Sequence, residues 1–164
     1  MSVQDRYISS KCLEIDGLIL DCKEWAKVDA RLGAHLATYV NVLILGVFEE
    51  SIEHLVKERS KKPGDREVEH YISEHIVHSL RNPKYKKICD VLGQFSDSYR
   101  SEFQNTFGPN CSEVDALHSI IRNKTNVAHY GLANLQLSVS DVEIYFQGVV
   151  RILEKLEDLL IINP

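Results

Sequence analysis

In the segment RNKTNVAHYG, residues 122–131, an arginine and a histidine stand seven positions apart, with an asparagine directly after the arginine. On a helix, seven steps of about 100° return to within roughly 20° of the start, so Arg122 and His129 share a face, roughly 10 Å apart along the axis. Asn126 falls on that face between them, and Ser119 and Asp115 continue it toward the N-terminus. A guanidinium offers paired donors that match the oxygens of a phosphate. An imidazole can accept or deliver a proton near neutral pH. Side by side, the two groups could hold an anion and move protons at it.

The elements around this pair must give it one solvent-facing side and one buried side. Val114, Leu117, Ile121 and Ala128 form a separate apolar arc, broadened by Ala116, Ile120 and Val127. Lys124 falls inside that arc, and Asn123, Thr125 and Asn126 are weak helix formers, so a distortion is expected there. Ser112 with Asp115 three residues later resembles a capping box, and Gly131 fits a C-cap.

Elsewhere, apolar residues recur at three and four positions and never in sustained alternation, which predicts an all-α chain. A first helix is expected over Leu13 to Lys27. A second starts from Asp29 as N-cap and runs until Pro63; from Leu36 to Phe48 it is apolar on nearly every side and should be the central helix. A third is expected from about Asp65 to Arg81, then shorter pieces between Pro83 and Phe107, interrupted near Gly93 and the run SDS. The last helix should open at Ser140, with Glu143 three residues later. Val142, Phe146, Val149, Leu153, Leu156 and Leu160 then keep the alternating four-and-three spacing of a packing stripe. Within it, EIYFQG (143–148) resembles a protease-tag remnant, but its place in a periodic helix marks it as native sequence. The expected architecture is an up-and-down bundle of four to five long helices with short additional helices, forming one domain over residues 1–164.

Composition narrows the chemistry. A chain of 164 residues that is 44% hydrophobic can bury one sizeable core. No run reaches about 18 uninterrupted apolar residues and the N-terminus lacks a basic end with an apolar block, so a cytoplasmic protein without membrane association is expected. Cys12, Cys22, Cys89 and Cys111 are scattered, which fits reduced structural thiols. The net charge of −5 gives no long-range attraction for nucleic acid, so any phosphate chemistry must be local. The basic runs KERSKK (57–62) and RNPKYKK (81–87) read either as solvated rims or as a track for RNA. His70, His75 and His78 include no His-Glu-x-x-His pattern, and Glu67 with His70 and Asp115 with His118 make an imperfect di-iron set. No metal and no cofactor is expected, and the histidines read as a helix surface.

Arg122-Asn123 followed by a spacer and His129 resembles the Arg-x(4-6)-His motif, often opening Arg-Asn, of the HEPN superfamily of helical ribonuclease domains, and within it the RiboL-PSP type. The resemblance extends to the long second helix with VFEESIEHLV (47–56), and it covers most of the chain as helix order and length. It implies a metal-independent endoribonuclease acting as a homodimer in which the motifs of two subunits meet in one cleft, commonly a toxin or anti-phage defence effector. An antitoxin, ATPase or nucleotidyltransferase would be the expected partner. Carried over, Arg122 and His129 are the catalytic pair, Asn123 is a polar supporter, and Glu50, ahead of Glu49, orients the pair; the alternative is that both glutamates are merely solvated. Tyr130 directly follows His129, whereas nucleotidyltransferase-paired HEPN toxins carry a tyrosine one position further on.

The residue types suit that chemistry. Metal-free RNA cleavage takes a proton from the 2′-hydroxyl and delivers one to the leaving oxygen, leaving a 2′,3′-cyclic phosphate. His129 suits the proton transfer and Arg122 the charge on phosphorus. Each chain offers one such histidine, so a two-fold axis would supply base and acid together. The competing reading is a non-catalytic helical module that binds a partner protein or a nucleotide through the same face.

Overall fold

The computed structural model describes residues 3–62, 64, 66–75, 80–130 and 137–163, and every regular element among them is a helix. In chain order these are α1 (Arg6–Val28), α2 (Ala30–Lys61), α3 (Arg66–His75), α4 (Tyr85–Phe95), α5 (Asp97–Thr106), α6 (Ser112–Tyr130) and α7 (Val139–Glu157), whose end continues as one π-helical turn, Asp158–Ile162. Four long helices, α1, α2, α6 and α7, make the bundle, and the three shorter ones lie between α2 and α6 in sequence.

Asp29 makes the sharp corner between the first two helices. Its N–H donates to the Trp25 carbonyl and closes α1, while its carboxylate accepts from the N–H groups of Arg31 and Leu32 and opens α2. One acidic residue thus satisfies groups left over by two helix ends. Glycine at position 33 lets the corner close, because a Cβ there would stand 2.5 Å from that of Ala26.

α2 is the central helix, packed against α1, α3, α6 and α7. Ala37, Val40, Ile44, Leu45, Phe48, Ile52, Leu55 and Val56 carry its buried side. Its length and an 18-residue window of mean hydropathy 1.4 match a membrane span by composition. A core helix has the same composition, and the eight residues just named are packed inside the bundle. The expected apolar sleeve from Leu36 to Phe48 is incomplete, since Tyr39 is exposed.

α1 begins at Arg6, seven residues before the position expected from sequence. The reason is a cap and a stripe: Asp5 accepts from the N–H groups of Tyr7 and Ile8, and Ile8, Cys12, Ile15, Ile19 and Cys22 are buried in alternating four-and-three spacing. The first turn is anchored across the chain by Glu157, whose buried carboxylate accepts from the backbone N–H groups of Gln4 and Asp5, the latter at 2.6 Å. His54 of α2 lies 3.0 Å from the Asp5 carboxylate and packs, tilted, against the Tyr7 ring.

The last helix opens two residues earlier than expected. Ser138 and Asp141 form the capping box, each side chain bonding the other's backbone N–H, whereas Ser140 lies inside the first turn. All six residues of the expected stripe, Val142 to Leu160, are buried. Between Pro83 and Phe107 the break falls at Ser96, which closes α4 and caps α5; Gly93 lies within α4, where the Arg100 guanidinium rests against it. The expected third helix is described only as Arg66–His75, and positions 76–79, including His78, lie outside the described residues. Pro63 and Gly131, the expected helix stops, lie outside them too.

Candidate functional site

α6 carries the Arg-His pair, and its position is fixed from two sides. On α7, Gly148 lets the helices approach so closely that Ala116 and the backbone of Glu113 lie at its Cα. From α2, the buried Asn41 amide donates to the Ile120 carbonyl at 3.3 Å. Val114, Ala116, Leu117, Ile120 and Ile121 form the buried side, as their spacing requires, while Val127 is half-buried and Ala128 exposed.

The start of α6 differs from the expected capping box. Ser112 is the first helical residue, its hydroxyl goes to the Glu113 carboxylate at 2.9 Å, and the Cys111 carbonyl receives the Asp115 N–H. Glu113 is the charged residue that matters there. Arg151 of α7 lies 2.9 Å away, and this guanidinium, the helix-end N–H and Ser112 bring the Glu113 carboxyl down to about 2. The helix shows no break at the weak formers: Thr125 turns its hydroxyl onto the Ile121 carbonyl at 2.9 Å, and the α-helix runs through to Tyr130.

Arg122 and His129 are both exposed on one face of this continuous helix, two turns apart. The Arg122 guanidinium donates to the Ser119 hydroxyl at 3.3 Å. Asn126 is half-buried on the same face. Asn123 is buried, one helical step round toward the interior, so it does not line the seam.

The two glutamates take different directions from those expected. Glu50 is exposed, and its carboxylate accepts from the Tyr7 hydroxyl of α1 at 3.2 Å. Glu49, one 100° step away, is the one directed at α6. Its carboxylate accepts from the Asn82 N–H at 2.8 Å and stands 3.5 Å from the Lys124 ammonium, which also donates to the Asn82 side-chain oxygen at 3.2 Å. Lys124, anomalous within an apolar arc, is therefore half-buried with its charge answered. Asn82 sits in the left-handed region, φ 48°, the conformation that Asn tolerates best after Gly. This knot of Glu49, Asn82 and Lys124 pins the turn before α4 against α2 and α6.

The pinned turn creates a feature that the sequence did not disclose. Pro83 is buried behind it and Lys84 is exposed at the start of α4. Beside Lys84 an open groove of about 380 Å³ runs along α6, lined by Lys84, His118, Ile121, Arg122, Thr125 and Asn126. His118, exposed one turn before Arg122, is by sequence spacing only an imperfect metal ligand. Its signal was present: stepping back four residues from Arg122 stays within about 40° of the same face.

Other candidates resolve into structure. His75 stacks on Tyr71 and bonds its carbonyl, and His70 is exposed. Among the described residues, no group of three His, Cys, Asp or Glu side chains could hold a metal ion. In KERSKK, Lys61 pairs with Glu58 and Lys62 donates to the Ile161 carbonyl. The cysteines are free, and burial pushes the Cys12 thiol up to about 11. No family model matches the sequence, and no curated protein or solved structure matches it.

Proposed function

We propose that the protein is a metal-independent endoribonuclease of the HEPN type, a toxin or defence effector in which two chains bring their α6 faces into one cleft. The observation that carries this reading is the exposure of Arg122 and His129 on the same face of a continuous helix, beside an open groove. In that arrangement His129 of one chain takes the 2′-hydroxyl proton, its counterpart in the second chain protonates the leaving oxygen, and Arg122 meets the charge that builds on the phosphate. Single-stranded or looped RNA is the substrate, since its linkage can bend into line for attack.

The test is incubation of the purified protein with single-stranded RNA in excess EDTA. Cleavage with 2′,3′-cyclic phosphate ends is expected, and Arg122→Ala and His129→Ala should each abolish it while preserving the helical circular dichroism. Cleavage by the His129→Ala protein at the wild-type rate would refute the assignment. RNA bound but uncut by the wild-type protein would favour a non-catalytic module.

A further inference from the structure

We infer that the groove between Lys84 and α6 is a second phosphate subsite, which holds the backbone of single-stranded RNA next to the linkage that is cut. The inference rests on the nuclease reading for the identity of the strand, and on the groove itself for the contacts.

The first argument is charge. The chain carries a net −5, yet among the described residues lining the groove there is no carboxylate, and Lys84 and Arg122 are both cationic. Among the described residues, neither cation takes part in an ion pair, as is true of several other surface cations, but these two face one concavity, where Arg122 meets only the Ser119 hydroxyl. Charge that folding does not use, gathered in a concavity, is what a polyanion recognises.

The second argument is the match of the remaining groups to a ribose-phosphate chain. His118 offers a ring N–H donor. Thr125 spends its proton on the Ile121 carbonyl, which leaves its oxygen to accept from a hydroxyl, and the Asn126 amide can donate and accept. Ile121, nearly buried, supplies an apolar floor for a sugar or base.

The third argument is geometry. From His118 to His129 is eleven residues, roughly 16 Å along the helix, too far for both imidazoles of one chain to act on a single phosphorus. Arg122 lies between them. Arg122 is thus shared with the cut linkage, while His118, and Lys84 beside it, engage a different phosphate of the strand and act as positioning residues. The Glu49, Asn82 and Lys124 knot fixes the backbone two residues before Lys84, at the rim of the groove.

The experiment uses the whole protein and a short, uncleavable 2′-O-methyl oligouridine, with binding followed by fluorescence anisotropy across a salt series; cleavage of the matching RNA is measured in parallel. Lys84→Ala with His118→Ala should weaken binding about ten-fold and flatten the slope of log affinity against log salt by about 0.7, the worth of one phosphate contact on a single strand. The loss in cleavage should appear in KM rather than in kcat. Lys84→Arg should restore affinity to the His118-only level, and this arm also controls for misfolding. If the wild-type protein cleaves RNA while the double variant keeps its affinity, salt slope and KM, the subsite is overturned and the nuclease reading survives. If the double variant loses binding but no RNA is cut by any form, the subsite is supported and the nuclease reading fails. Absence of oligonucleotide binding by the wild-type protein would overturn the subsite outright.

Discussion

Gly148 sets the distance between α6 and α7, and replacing it with alanine tests how firmly the functional helix is held. A Cβ at this position would stand 2.7 Å from the Ala116 Cβ and 3.4 Å from the Glu113 Cα. Carbon atoms in contact prefer about 3.5–4.0 Å, so the main shortfall is about 1 Å. Neither neighbour can rotate away, since one is an alanine methyl and the other backbone. Overpacking of this kind costs roughly 1–3 kcal/mol, with the upper half expected where no rotamer can relieve it. Alanine in place of helical glycine returns up to about 1 kcal/mol through propensity. The net loss should be about 1–2 kcal/mol, a fall in Tm of roughly 2–8 °C for a chain of this size. Gly17→Ala on α1, where a Cβ would meet nothing within 4 Å, is the matched control and should raise Tm. Ala116→Gly should lose its own destabilising effect when combined with Gly148→Ala, and a double-mutant cycle read by differential scanning calorimetry would give the coupling. A Gly148→Ala protein that gains stability as the Gly17→Ala protein does, or a coupling of zero, would refute the close approach.

Acid stability should depend on Glu113 and Arg151. The Glu113 carboxyl is held at about 2, below its ordinary 4.5, so the stabilisation is fully present above pH 4.5 and is lost as pH falls through about 2. Because Arg151 is 62% exposed, Arg151→Met should cost about 1 kcal/mol or less at neutral pH, and urea midpoints of the two proteins should converge near pH 2; a constant gap down to that pH would contradict the assignment. At Asn82, with its positive φ, Gly should be tolerated by the backbone whereas Val should cost about 1–3 kcal/mol in urea unfolding, and equal losses would show that the turn's conformation is not what matters.

The sequence disclosed most where one residue settles one question. Asp29 announced the corner of α1 and α2 because an acid before an amphipathic run has one strong use, and the α7 stripe could be read because only helical packing demands that spacing. Helix starts were less legible for the same local reason: Ser138 with Asp141 and Ser140 with Glu143 satisfy one pattern two residues apart, and the chain's turn into the bundle chooses between them. Asp5 does not stand out as a cap in the sequence because its helix opens with polar residues, and the contacts that fix the start there come from Glu157 and His54, far along the chain. The motif face on α6 followed from angular arithmetic alone. The roles of Glu49 and Glu50 could not follow, since adjacent residues on a helix differ by 100° and only the neighbouring helices say which partner each meets. Lys84 and His118 lie far apart in sequence, and the turn that brings them together is held by contacts made after the bundle forms.

The carboxylate of Glu157 reaches back to a backbone N–H 152 positions earlier. A hydrogen bond of that span joins the opening turn of the molecule to its closing helix. Unwinding the end of α7 would free the Gln4 and Asp5 N–H groups, and peeling that segment away would leave the buried Glu157 carboxylate without its donors, so the two regions should protect their amide hydrogens together and lose them together in exchange experiments. It also means that the backbone just before α1 finds its partner only when a residue 152 positions later is in place, a separation that favours completion of the bundle as one event over assembly from one end.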